Sequence, residues 1–164
     1  MEEYIMKIGV IGASGRAGTL ILKEAIDRGH QVTAIVRDKS KMKDKNIIVI
    51  EKNILDLKQD DLKQFDVVVN AFGAPLGEEQ IHVDAGHVLI NTLKGTSTRL
   101  IVVGGVGELY VDDSKTTKVV DTPSIPEFAK PTSRAQTRNL QELQATPNIN
   151  WTFISPALVF DAEG

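Results

Sequence analysis

Residues 9–18 read Gly-Val-Ile-Gly-Ala-Ser-Gly-Arg-Ala-Gly, and no other stretch constrains the chain so much. Gly12, Gly15 and Gly18 stand three apart, after the apolar run Lys7–Ile11 and at the head of a helical pattern over residues 17–28. Each glycine has a physical task. Gly12 permits a tight turn, Gly15 lets the backbone approach a pyrophosphate with no Cβ in the way, and Gly18 lets the helix pack closely on the strand. The helix N-terminus then offers N–H groups and the positive end of its macrodipole to an anion. Ser14 adds a hydroxyl donor. The plainer alternative is a tight turn without a ligand. A second strand pattern at Gln31–Val36 supplies the strand–helix–strand context that favours a dinucleotide.

The rest of the chain alternates short β-branched runs with longer helical patterns. Strands are expected at Lys7–Ile11, Gln31–Val36, residues 47–51, residues 66–70, Arg99–Val103 and residues 150–154. Helices are expected over residues 17–28, stopped by Gly29, over 81–93, and over 132–144, entered through Pro131. Val67-Val68-Val69 and the run at residues 100–103 are continuously apolar, which suits a parallel sheet covered on both faces. The fold class is therefore α/β: a single-domain, three-layer, Rossmann-type doubly wound parallel sheet. With right-handed crossovers its strand order is 3-2-1-4-5-6, and ligand lies at the carboxyl ends of the strands near the switch between strands 1 and 4. Residues 104–130 fit no regular unit. Their 108–121 part reads as a hairpin turning at Asp113-Ser114-Lys115.

Composition sets the remaining bounds. A chain of 164 residues fits one domain and buries roughly two-thirds of its unfolded surface, so its core needs no staple. A net charge of −3 argues against a nucleic-acid partner. The absence of cysteine excludes disulfides and thiolate-bound metals. No apolar run approaches the ~18 residues of a membrane span, and the acidic start Met1-Glu2-Glu3-Tyr4 does not read as a signal peptide. A cytoplasmic protein is expected. His82 and His87 are five apart and do not share a helical face as a metal pair would, and His30 follows a helix stop, so no metal site is expected. Glu78-Glu79 and Asp112-Asp113 read as solvated loop acids, and the basic stretch at residues 39–45 as a solvated turn.

The end of the second strand bears on which dinucleotide is bound. NAD sites usually carry an acid there for the ribose 2′-OH. This chain has Ile35-Val36-Arg37-Asp38, and Arg37 is a cation placed to meet a 2′-phosphate. Arg16 can approach the same phosphate from the glycine loop, and a guanidinium fork suits phosphate oxygens. NADP(H) is therefore preferred. NAD(H) stays open, because Asp38 can serve as the ribose acid or, with Ser40, can simply cap a short turn.

With these residues in view, the chain resembles the atypical short-chain dehydrogenase/reductase branch that holds NmrA-like, biliverdin-reductase-B-like and NADH-flavin-reductase-like proteins. The resemblance runs through residues 7–38, 67–73, 77–80, 100–105, 131–136 and 151–160, the last reading WTFISPALVF. It implies an NAD(P)H-binding domain with hydride transfer to a flavin, quinone or related planar acceptor. By position it assigns Gly12, Ser14, Gly15, Arg16, Ala17 and Gly18 to the pyrophosphate loop and Arg37 to the 2′-phosphate. It also assigns Asn53 and Ile54 to adenine, Ala71-Phe72-Gly73 to the middle of the cofactor, and Ser155-Pro156-Ala157 to the nicotinamide.

The departures from that group matter. Position 53 is often Asp there and is Asn here; Glu108 stands where a Ser is usual, and Lys130 where a Tyr is usual. The two tyrosines, Tyr4 and Tyr110, are followed four residues on by Ile8 and Ser114, so no Tyr-x-x-x-Lys relay exists. Flavin accepts hydride at nitrogen and needs a side-chain acid less than a ketone does, which makes that loss tolerable. Lys130, Arg134 and Tyr110 are the remaining catalytic candidates. Relatives continue beyond the point where this chain stops at Gly164, so the C-terminal part of the usual domain, a wall of the substrate pocket, is expected to be absent. A non-catalytic NAD(P)-binding redox sensor is the rival reading. A nucleotide-sugar epimerase or dehydratase is a third, and it suffers most from the missing tyrosine.

Overall fold

Six short apolar strands pair in parallel to form the centre of the molecule. The structure, a computed structural model, describes residues 4–159 and 161. The strands are β1 (Lys7–Ile11), β2 (Gln31–Val36), β3 (Ile48–Glu51), β4 (Val67–Asn70), β5 (Arg99–Val103) and β6 (Trp151–Ile154). They lie in the order β3-β2-β1-β4-β5-β6, all parallel, as expected from the sequence. The order in which strands are added across the sheet reverses between β1 and β4, where Ile11 lies beside Asn70.

Helices α1 (Arg16–Asp27), α2 (Gln59–Leu62), α3 (Gln80–Leu93) and α4 (Lys130–Ala145) complete the layers. On one face α1 packs Leu22 and Ala25 on Ile8, Val10, Ala34 and Val36. On the other, α2, α3 and α4 bring Leu62, Leu89, Leu93 and Leu143 onto Ile11, Ile35, Val68 and Leu100. Because both faces of β1, β2 and β4 are covered, their residues are buried irrespective of parity, which is why the runs read as continuously apolar. Where α3 and α4 meet, Gly86 admits the buried Asn139: a Cβ on Gly86 would lie 1.9 Å from the Asn139 amide nitrogen.

Three local features differ from expectation. α2 is a single turn, too short for a periodic signal, and is secured by the fully buried Leu62 and by Asp61, which accepts from Lys58 N–H at 2.8 Å. α4 begins at Lys130 rather than after Pro131, since a proline in the first turn forfeits no intrahelical bond. The hairpin after β5 exists in reduced form. One antiparallel bridge joins Tyr110 to Lys118, and Lys115 takes the left-handed conformation at the turn, with φ 55°. Among the described residues no helix is long and apolar enough to cross a membrane, and no group of acids and histidines could hold a metal.

Candidate functional site: the cleft at the carboxyl ends of the strands

Beyond β1 the chain turns through Gly12, whose φ of +74° is open to glycine at little cost. Gly12 N donates to Ile35 O and Ala71 N donates to Ile11 O, each at 3.0 Å, so the loops after β1 and β4 are fastened to neighbouring strand ends. A Cβ on Gly12 would meet the Ala71 carbonyl oxygen at 2.7 Å, and one on Gly18 the Gly12 oxygen at 2.0 Å. Packing within the protein thus requires both glycines. Gly15 differs. Its backbone is extended (φ −83°, ψ 177°), and a Cβ there would find a single neighbour, Gly12 O, at 3.3 Å. The fold itself places little demand on Gly15, and the open space beside it belongs to a cleft.

That cleft has a volume of about 470 Å³. It brings together Gly12, Ser14, Gly15, Arg16 and Ala17 from the glycine loop, Arg37 from the end of β2, Asn53 and Ile54 beyond β3, and Ala71, Phe72 and Gly73 beyond β4. Within α1 the amide of Thr19 donates to Gly15 O, so the amides ahead of it lie at the helix mouth, where the macrodipole favours an anion. Gly18 lies behind this surface, against Gly12, and Ser155 lines neither this cleft nor its neighbour.

The acid beside Arg37 lines the cleft as well, and one of its oxygens is taken up by a local cap. Asp38 Oδ1 accepts from Ser40 N–H at 2.9 Å and from Ser40 Oγ–H at 2.6 Å, capping the turn Lys39–Lys41. The Ser40 side-chain bond, then its backbone bond, hold the Asp38 carboxyl below the usual carboxylate range. Asn53 has a comparable local task, its Oδ1 accepting from Leu55 N–H at 3.0 Å. Lys41 and Lys52 also line the cleft, and neither was marked by motif or spacing. Lys52 Nζ is held by both carboxylate oxygens of Asp61, at 3.0 and 2.8 Å. His82, at the head of α3, is considered in the sequence only for metal binding, and the structure gives it a different place. Its Nε2 accepts from Ala74 N–H at 3.2 Å, beneath the wall formed by residues 71–75.

Comparison with known proteins accords with this geometry. Residues 12–164 match the model of a family described as NAD(P)H-binding. The chain belongs to that NAD(P)H-binding family. It is 54% identical over 160 residues to the uncharacterized Bacillus subtilis protein YwnB, covering 97% of this chain and 75% of that one. A Streptococcus pneumoniae structure provisionally named as an NADH-flavin reductase superposes with a TM-score of 0.90 at 45% identity, over 97% of this chain and 75% of that one. A Listeria monocytogenes structure gives a TM-score of 0.74 at 40% identity, over 96% and 83%.

The NAD(P)H-binding chain has a second cavity of about 330 Å³ on the β5–β6 side of the cleft. Leu76, Val106, Ile125, Pro156 and Leu158 give it a largely apolar wall, and Thr132, Ser133 and Gln136 of α4 supply polar groups. Ala157 lines it as well, so the segment after β6 faces this cavity rather than the glycine loop. None of the three catalytic candidates lines either cavity. Lys130 pairs with Glu127, and Arg134 lies 3.7 Å from Asp121. Tyr110 is half-exposed on the hairpin, with Lys118 Nζ 5.8 Å from its ring centroid. Lys118 in turn bonds Glu108 at 2.6 Å. The histidines behave as separate residues: His87 pairs with Glu142 at 2.9 Å, far from the role of a metal partner to His82.

Proposed function

We propose that this chain is an NADPH-dependent reductase whose acceptor is a flavin, a quinone or a related planar molecule. The observation that carries the reading is a pair of unlike cavities linked along one segment. Pro75 lines a cleft that also holds Arg16, Arg37 and Lys41, and the next residue, Leu76, lines a largely apolar cavity walled by the segments after β5 and β6. Gly15 leaves room for a pyrophosphate against the backbone, which is the fit expected of a dinucleotide. Arg16, Arg37 and Lys41 hold the 2′-phosphate; Asp38 lines the same cleft, with its Oδ1 taken up by Ser40. Asn53 and Ile54 lie along adenine, and Ala71, Phe72 and Gly73 along the middle of the cofactor. Pro156 and Ala157 face the nicotinamide end, where Gln136 can orient an acceptor carbonyl.

When bound, the nicotinamide supplies a hydride to the acceptor. The protein's part is to bind, to orient and to exclude water around an apolar wall. No side-chain acid is assigned, because Lys130, Arg134 and Tyr110 are engaged away from the cavity. The resemblance of the Streptococcus pneumoniae structure supports the same class of acceptor.

Consumption of NADPH by the purified chain, followed with riboflavin, FMN and a naphthoquinone in turn, tests the proposal. Turnover is expected with at least one of these, with Tyr110→Phe close to the parent rate and Gln136→Leu showing a raised KM for the acceptor. A large loss of rate in Tyr110→Phe would overturn the acid-independent mechanism. Tight NADPH binding without turnover of any planar acceptor would instead identify a dinucleotide sensor.

A further inference from the structure

His82 stands on the first turn of α3, outside the set of residues that sequence assigns to the cleft. The middle wall of the cleft nevertheless rests on it. Ala71, Phe72, Gly73 and Pro75 face the cleft. Ala71 N–H is held by Ile11 O, and Phe72 N–H by Asn70 Oδ1 at 3.1 Å. The next tie along the segment is the one from Ala74 N–H to His82 Nε2. The imidazole also meets the Phe72 ring edge-on, with 5.6 Å between centroids. One side chain therefore supports the wall through both a hydrogen bond and a ring contact.

A ring nitrogen that accepts a hydrogen bond carries no proton. A neutral imidazole in this arrangement has its proton on Nδ1. An imidazolium is a donor at both nitrogens, so a second proton would set two N–H groups face to face and delete the tie to Ala74. The surroundings oppose that proton. Burial holds the His82 pKa below the ordinary histidine value, with Glu79 acting in the other direction. Glu79 is half-buried, and its carboxylate already accepts from Gly77 N–H at 2.7 Å. From the other elements packed around the ring come uncharged groups: Asn70 at the end of β4, Gln136 and Asn139 on α4, and Phe153 on β6. Together they enclose a small space of about 10 Å³, and among the described residues no ionisable side chain lines it besides the histidine.

We propose that His82 is a positioning residue for the dinucleotide: its neutral imidazole holds residues 72–75 as the cleft wall, and a proton on the ring releases them. This rests on the cleft being the dinucleotide site and is independent of which acceptor is reduced. Linkage fixes the sign. If the binding-competent wall needs the neutral ring, affinity is level above the His82 pKa and falls below it. One proton gives a limiting slope of about tenfold per pH unit. The fall therefore sits below about pH 6.5, the ordinary histidine value.

The test is calorimetric titration of the full chain with the acid-stable oxidised dinucleotides, NAD⁺ and NADP⁺, from about pH 7.5 to about pH 5. NAD⁺ is the decisive ligand, because the 2′-phosphate of NADP⁺ has a titration of its own in this range. His82→Gln places an amide oxygen near the Nε2 position, an acceptor that does not titrate. His82→Leu removes the acceptor altogether. The parent is expected to lose several-fold to about tenfold affinity for NAD⁺ across the range. His82→Gln is expected near the parent at neutral pH and level below it. His82→Leu is expected to be weaker throughout and equally level. A His82→Gln profile that falls like the parent's, or a level parent profile, overturns the proposal. Circular dichroism at each pH separates loss of the wall from loss of the fold, and His82→Gln alone decides the matter if His82→Leu does not fold. If the parent binds neither dinucleotide at neutral pH, the reading of the cleft itself fails, and this inference fails with it.

Discussion

The Gly12 carbonyl oxygen lies where a Cβ on Gly18 would need to be: the two would stand 2.0 Å apart. The obstacle is backbone, so it cannot rotate aside. Gly18→Ala is expected to force α1 off β1 and to destabilise the fold by about 1–3 kcal/mol, the usual cost of overpacking. A Cβ on Gly15 would meet the same oxygen only at 3.3 Å, and its backbone is already in an extended conformation that valine tolerates. Gly15→Val is expected to fold like the parent while losing dinucleotide binding. Thermal melts and calorimetric titration of both variants check the contrast. A folded Gly15→Val with unchanged affinity would remove the pyrophosphate from this loop.

Arg37 and Asp38 both line the cleft, and the Asp38 Oδ1 is taken up by Ser40. The parent is therefore expected to bind NADPH more tightly than NADH. A charge-assisted phosphate contact contributes ~1.5–3 kcal/mol, so Arg37→Asp should narrow or reverse the preference by about tenfold or more. Affinities of both cofactors for both proteins are the measurement. Equal affinity of the parent for NADPH and NADH would sink the assignment.

Asp61 holds Lys52 at the edge of the cleft and accepts from Lys58 N–H as well. The Lys52 side-chain bond is the main cause of a carboxyl pKa below the ordinary aspartate value. A depressed folded-state pKa means that the unfolded chain takes up the proton first as the solution is acidified. The stability that Asp61 contributes is thus fully present near neutral pH. It is lost as pH falls below about 4, through the folded-state pKa. Asp61→Asn is expected to lower stability near neutral pH by up to about 1 kcal/mol, since the pair is partly solvated. Melting curves of the two proteins should converge as the solution is acidified below the ordinary aspartate value. A gap that stays constant with pH would show that the loss is one of packing rather than charge.

The sequence by itself determined the sheet. Continuous apolar runs at β4 and β5 require cover on both faces, right-handed crossovers leave one economical strand order, and the spacing of Gly12, Gly15 and Gly18 marks the turn into α1. These are local signals, because backbone sterics and periodicity act within a few residues. It could not separate the duties of adjacent residues. Gly15 and Gly18 look alike in a motif, yet a Cβ on the first would stand 3.3 Å from the Gly12 carbonyl oxygen and one on the second 2.0 Å from it. Arg37 and Asp38 are neighbours, yet only the acid has Ser40 within reach of a cap. Nor could it find partners set by loops that meet only after the sheet is assembled. Lys41 and Lys52 reach the cleft from loops after β2 and β3, and His82 reaches back eight residues to Ala74. Lys130 looked available until α4 was placed, with Glu127 beside it and the apolar cavity lined by Ala129 and Thr132 but not by Lys130. Tertiary structure decided these cases because a side chain's free energy depends on which groups replace its water, and those groups come from distant parts of the chain.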